Sequence, residues 1–502
     1  MKRRSSNMER RSSNMERRSS NMERRSSNME RRSSNMERRS SNMERRSSSH
    51  VGKFTITQKF HRRTRSRPTR TIMTRSQVSS CSSSSSCSSS SCSSSSSSSS
   101  SSSLFSRLPA EVFDLVLDQL TVVEVSVFSM ASKEISQKVV DYVSTLSWRS
   151  RTVLQTFHDS TCRDHSSIMG HYRDLGLLFK RCTLLLPTKE RLKFIFSKFS
   201  QVPCFLLEQC FHLDCSGFSC YGVFLQTLIA GWDELECQRV FNFLCDITNL
   251  LNKMETVISG KPGVQWFQQV QLRLFCRQVL LDPWSSQQET QFWLLLLLKP
   301  WPLVSQAHLL FVFYGPVRLH APVGWQDLVG GGVAHSALWD LARALLLLYT
   351  RQEVKGHNNN SLLAIFEELI FLPLPWHVEN VSRLLVLCGS SLCYSVLASK
   401  AVNGRLPEIS RLIVFIVLVC EKDGYHMSWA VKMVQSIVQI FSTVSERFLF
   451  IQQLEKMFSE VTKEFFQLCD GGNQDRETFQ NLCILLESST RFHTKFLHML
   501  LN

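Results

Sequence analysis

Between residues 79 and 103 the chain contains only 22 serines and three cysteines, Cys81, Cys87 and Cys92. Such a stretch has no apolar surface to bury, so it cannot offset the entropy lost on ordering and reads as a flexible Ser-rich linker. It divides the 502 residues into two parts with different chemistry. Before it, residues 1–78 hold 23 of the 58 Lys and Arg but 6 of the 42 acidic groups, a net charge of +17. After it, 35 basic groups meet 36 acidic ones, so the body is nearly neutral although the whole chain has a pI near 9.3. A basic nucleic-acid-binding domain is thereby excluded, and any contact with nucleic acid is expected to be non-specific and confined to the tail.

The tail begins with RRSSNME, repeated six times from Arg3 to Glu44. A coiled coil needs two apolar seams in each heptad, and this repeat offers a single Met, so residues 1–78 read as a long disordered basic tail. Its serines behind paired arginines suit a basic-directed kinase, but expansion of a low-complexity tract is the commoner origin of such arrays. The run from Arg62 to Arg70 is of the kind that directs nuclear import or gives general basic adhesion, so localisation is expected in the nucleus and/or cytoplasm. The charged start holds no apolar stretch, hence no secretory signal, and the 17 cysteines read as reduced thiols. The nearest candidates for a membrane span, 294–298 and 412–420, are too short to cross a bilayer and read as core helices, so no membrane partner is expected.

From Leu104 the apolar spacing is helical. Ile168, Tyr172, Leu175, Phe179, Cys182 and Leu186 step by three or four residues up to Pro187, and Leu192, Ile195, Phe196 and Phe199 repeat the pattern. Pro and Gly punctuate it at Pro283, Pro300, Pro302, Gly315-Pro316, residues 330–332, Pro373, Pro375, Gly404, Gly424 and residues 471–473, with HNNN at 357–360. Segments of this length suit antiparallel helices joined by short loops. The expected fold class is all-α: a small N-terminal helical module over 104–145, then an irregular α-helical array over 146–502. No fixed repeat period is evident.

The stretch from Leu104 to Val143 carries the functional signal. Pro109 suits a helix start and Glu111 falls in the favoured first turn. Val112, Val116 and Leu120 give one apolar stripe, and Phe113 and Leu117 a second beside it, more than one buried face requires. Thr121 with Glu124 forms a capping box that opens a second helix, and Ile135, Val139 and Val143 mark a third. Three short helices bury little on their own, so the surplus stripe belongs either to the body behind or to another protein.

These residues resemble the F-box family: the Leu108-Pro109-x-Glu111 opening, then Val116, Leu117 and Leu120, the Glu124-Val125 pair, and Ser132-Lys133. Where many members carry Trp near the motif's end, Ile135 stands here. Further segments, Tyr172–Ile195, Cys220–Cys245 and Ala398–Lys422, resemble one member of that family, with the likeness spanning about residues 104 to 500. The resemblance implies a three-helix F-box whose residues Leu108, Pro109, Glu111, Val112, Val116, Leu117, Leu120 and Val125 bind a Skp-type adaptor and, through it, a cullin. It also implies a substrate-recognition subunit of an SCF-type ubiquitin ligase, acting in germ cells, with the helical array holding a protein substrate. The alternative is a non-degradative helical scaffold that stabilises a nuclear or meiotic protein complex.

Catalysis by the chain itself is not expected. It has no G-x-S-x-G, no phosphate-binding Gly loop and no H-E-x-x-H. Glu367-Glu368 and Asp233-Glu234-Glu236 read as solvated helix faces. Cys204, Cys210, His212, Cys215 and Cys220 crowd together, but without a C-x-x-C knuckle, so buried free thiols are favoured over structural zinc and no cofactor or metal is expected.

Overall fold

The three-to-four-residue apolar spacing is realised as helix throughout the body. The computed structural model describes residues 104–153, 157–158, 165–207, 209–210, 212, 215–317, 323–355, 360–470 and 476–501. The RRSSNME array, the run Arg62–Arg70 and the serine tract lie outside the described residues, as do 357–359 and 471–473.

After a 3-10 turn over Leu104–Arg107 come α1 (Ala110–Asp118), α2 (Val122–Phe128), α3 (Lys133–Ser144) and α4 (Leu146–Thr152). A second group comprises α5 (His165–Cys182), α6 (Thr188–Phe199), α7 (Gly217–Ile229), α8 (Glu234–Thr248), α9 (Leu250–Ser259) and α10 (Trp266–Phe275). A π segment, Cys276–Leu281, prolongs α10 and is followed by α11 (Gln287–Leu298), α12 (Leu303–Tyr314), α13 (His335–Lys355), α14 (Asn360–Leu369) and α15 (Val378–Leu387). The chain continues with α16 (Gly389–Val402), α17 (Leu406–Lys422), α18 (Met427–Val438), α19 (Val444–Asp470) and α20 (Arg476–Leu501). Among the described residues the β pairing is a single bridge, Val317 to Val323. The all-α expectation is met.

Packing follows chain order. α2 lies on α5, α5 on α7, α10 on α12, α12 on α14, α13 on α15, α15 on α17, and α17 on both α19 and α20. The principal contacts join helices at most three places apart, the near-neighbour stacking of a helical-repeat array. α17 explains the apolar run at 412–420. Leu412 through Cys420 are all buried because α15, α18, α19 and α20 surround the helix, and a helix apolar on every side is stable only when enclosed. Among the described residues no helix is long and apolar enough to cross a membrane.

The punctuation works as its chemistry dictates. Pro187 caps α6 and Pro302 caps α12. Gly424 takes φ +74° at the end of α17, letting the Tyr425 amide reach back to the Cys420 carbonyl at 2.8 Å. Two breaks escape the sequence pattern. α5 stops at Cys182, which leaves Leu186 in the following turn, and Asn249 separates α8 from α9 by adopting φ 52°.

The reading of the acidic groups as solvated faces holds for Asp233, Glu234 and Glu368, which are exposed, and is corrected for Glu236 and Glu367, which are half-buried. Asp233 caps α8, accepting from the Glu236 amide at 2.8 Å, and Glu367 pairs with the buried Lys400 and with Arg405. A further ionic network sits inside the array. Arg383 on α15 donates to Asp423 at 2.8 Å and to Glu379 at 3.1 Å, and Lys422 reaches Glu379 at 2.9 Å. Local spacing gives no sign of it, because Arg383 on α15 and Asp423 just beyond α17 are 40 positions apart.

Candidate protein-docking surface

Local chemistry builds the first three helices. Pro109 occupies the N-cap of α1 with φ −54°, a value its ring already prefers, and Glu111 lies in the first turn. Thr121 and Glu124 form the reciprocal capping box: the Thr121 hydroxyl accepts from the Glu124 amide at 3.3 Å, and the Glu124 carboxylate from the Thr121 amide at 2.8 Å. The second bond holds the Glu124 carboxyl below its ordinary range. Ser132 caps α3 through the Ile135 amide at 3.1 Å.

α1 and α2 each have an inner and an outer apolar side. Inside, Phe113 stacks on Phe128 with ring centroids 5.9 Å apart, and the Lys138 ammonium sits 4.8 Å above the Phe113 ring. Lys138 also donates to the carbonyls of Phe105 and Leu108 at 3.0 and 3.3 Å, tying the entry segment to α3. Asp118 accepts from Tyr142 at 2.6 Å and from Arg151 at 2.5 Å, which joins the end of α1 to α3 and α4. The Arg151 bond, then the Tyr142 bond, keeps the Asp118 carboxyl below its usual range, while burial and that same bond push the Tyr142 phenol up. α2 is fastened to α5 through Ser126, which is buried and accepts from Arg181 at 3.1 Å.

On the outer side of α1, Val112 is 42% exposed, Leu115 64% and Val116 37%. These positions, spaced i, i+3 and i+4, share one face. On α2, Val123 and Val127 are exposed, and the line continues through Met130 in the turn beyond. Among the described residues, none covers either stripe.

The structure divides the residues implicated by the F-box resemblance. Val112 and Val116 are open, and Pro109 and Glu111 are exposed at the start of α1. Leu108 and Leu120 are half-buried against the core. Leu117 and Val125 are enclosed at 1% and 2% exposure, so neither can touch a docked partner as the chain stands. Four-residue spacing groups Leu120 with Val112 and Val116, but at about 100° per residue it falls about 80° from Val112 and closer to the Phe113–Leu117 line. Leu115, the i+3 member of the outer stripe, lies off the four-residue spacing that defines Val112–Val116 in the sequence. Val123, Val127 and Met130 give no comparable signal, because the strongest local signature of α2 is its capping box rather than its outer face.

A family model described as FBXO47, ARM repeats matches residues 247–502. F-box only protein 47 of Mus musculus is 46% identical over 405 residues, covering 79% of this chain and 90% of the relative. F-box only protein 47 of Homo sapiens is 44% identical over 405 residues, covering 79% and 89%. The chain belongs to the F-box only protein 47 family. No solved structure matches it. In this F-box only protein 47 relative, the ARM-repeat match begins within α8 and takes in every later helix, the same region in which the near-neighbour packing is most regular.

The cysteine cluster of the F-box only protein 47 relative is not the one counted along the sequence. His158, Cys204, Cys210 and Cys215 bring their Nε2 or Nδ1 and Sγ atoms within 4.8 Å of one another. Cys220 stands apart, fully buried on α7, and the His212 ring lies tilted against His158 at 4.0 Å between ring centroids without joining the group. A hydrogen bond from Cys215 holds the Cys204 thiol well below its ordinary value and raises Cys215 in turn. His158 lies 46 residues before Cys204, a separation at which local spacing gives no signal.

Proposed function

We propose that this chain is the substrate-recognition subunit of an SCF-type ubiquitin ligase. The open stripe Val112–Leu115–Val116 on α1, with the outer face of α2, lies in the apolar groove of a Skp-type adaptor as an amphipathic helix does. Through that adaptor the chain joins a cullin. The ARM-repeat region holds a protein substrate, and a conjugating enzyme carried by the cullin transfers ubiquitin to a substrate lysine kept close to it. The chain performs no chemistry of its own: its contribution is effective concentration. It acts in the nucleus and/or cytoplasm, and the basic tail contributes non-specific attraction to nucleic acid.

The observation that carries this reading is the division of α1 into a closed face, Phe113 and Leu117, and an open apolar face, Val112, Leu115 and Val116. A helix with no external partner gains nothing from the second face. The test is affinity purification of the full chain with and without the paired substitution Leu115→Asp and Val116→Asp. Adaptor and cullin are expected to disappear from the variant's partners while substrate-side partners remain. Removing the chain from cells is expected to raise the level of those remaining partners. A fall in their level would instead mark a stabilising scaffold.

A further inference from the structure

We propose that His158, Cys204, Cys210 and Cys215 form a structural zinc site that clamps two helix connections. One ligand comes from the connection between α4 and α5, and three come from the connection between α6 and α7.

The geometry favours one tetrahedral ion over a loose set of thiols. The His158 Nε2 atom lies 3.3 Å from the Cys204 sulfur and 3.2 Å from the Cys210 sulfur. Zinc bonds of about 2.3 Å to sulfur and 2.0 Å to nitrogen place neighbouring ligand atoms about 3.5–3.8 Å apart at tetrahedral angles. The four ligand atoms, all within 4.8 Å of one another, need shifts of a few tenths of an ångström to about 1 Å to meet that arrangement. Three sulfurs and one imidazole nitrogen form a donor set that selects zinc over the oxygen-seeking magnesium and calcium.

The surroundings are built for the cluster. The Gly217 amide donates to the Cys215 sulfur at 3.3 Å, the kind of outer bond that steadies a metal-bound thiolate. Gly217 must be glycine for this approach: a Cβ there would lie 2.6 Å from the Cys204 Cβ and 2.9 Å from the Cys204 carbonyl oxygen. Gly217 also begins α7, whose positive end faces the turn that carries Cys215.

The clamp has a structural consequence. α5 is the helix on which α2 packs, and α7 is the main neighbour of α5. Fixing both connections braces the array behind the F-box. Loading proceeds as Zn²⁺ displaces protons from the three thiols while neutral His158 gives its lone pair, so no oxidant or reductant takes part.

The test is zinc content of the purified full chain, prepared without chelator. Wild type is expected to hold about one zinc per chain, with Cys204→Ser and Cys215→Ser each reducing it to background. Cys220→Ser and His212→Ala are expected to keep it. Should the cysteine variants misfold, wild type is stripped and titrated with Co²⁺, which is expected to give the visible bands of a tetrahedral thiolate site. Zinc is also expected to protect Cys204 and Cys215 from alkylation. Folded wild type that retains no zinc, binds cobalt only as the octahedral aqua-like ion or is alkylated at Cys204 equally with and without zinc would overturn the site. So would loss of zinc from Cys220→Ser matching that from Cys215→Ser.

Discussion

Val116 and Leu117 are adjacent in the chain and face opposite ways: Val116 is 37% exposed on the outer side of α1, and Leu117 is 1% exposed in the core. This pair separates two roles that an F-box motif read as a string of letters would merge. Leu117 holds the helix to the protein, and Val116 stays open to the proposed partner.

Substitutions at the two positions should therefore differ in kind. Leu117→Ala removes buried methyl groups and is expected to cost about 2–5 kcal/mol of stability, read by urea unfolding. Val116→Asp is expected to leave the unfolding midpoint within about 0.5 kcal/mol of wild type and to abolish adaptor binding. Equal destabilisation by both would place Val116 in the core.

The capping box at the start of α2 should be measurable by itself. Thr121→Ala removes the oxygen that accepts from the Glu124 amide and is expected to cost about 1 kcal/mol. Thr121→Ser keeps that oxygen and should stay near wild type. An equal loss from both would assign the effect to the threonine methyl.

The ionic network between α15 and the end of α17 gives a sharper result. Arg383→Met leaves Glu379 and Asp423 without their guanidinium partner and is expected to cost about 3–5 kcal/mol. Burial alone would raise the Glu379 carboxyl, but the Lys422 and Arg383 charges outweigh it and hold the group below its ordinary value. Because the folded value is depressed, the stabilisation is present above the ordinary carboxylate range and is lost as pH falls through the folded value. Unfolding of wild type against Glu379→Gln should show a difference near neutral pH that narrows in acid.

His308 supplies a second acid sensitivity. Burial lowers its imidazole to about 4, and among the described residues its Nε2 atom, beside Trp325 in the core, has no hydrogen-bond partner. As pH falls below the ordinary imidazole range, the unfolded chain takes up a proton before the folded one does. Stability is then expected to drop by about 2 kcal/mol between about pH 7 and pH 5 from this group. His308→Leu should flatten that part of the profile. An unchanged profile would assign the acid loss to other groups.

What the sequence made legible follows from the range over which each signal acts. Helices were readable because their apolar spacing and caps are local: Tyr172 through Cys182, Pro187, and Thr121 with Glu124 all act within one or two turns. Helix α1 is legible from Pro109 and its apolar stripes, but the sorting of its faces is not, since Leu120 lies beyond its end and sides with Phe113 and Leu117. The His158–Cys204 and Arg383–Asp423 pairings were out of reach, because each joins residues 40 or more positions apart that only packing brings together. Asn249 was missed because a left-handed non-glycine residue has no strong signature in sequence.

The most direct measurement is binding of the purified Skp-type adaptor to the full chain by titration calorimetry, comparing wild type with the Leu115→Asp, Val116→Asp double variant. Saturable binding by wild type and none by a variant with an unchanged unfolding midpoint is the predicted result. Adaptor binding of equal strength by both proteins would contradict it.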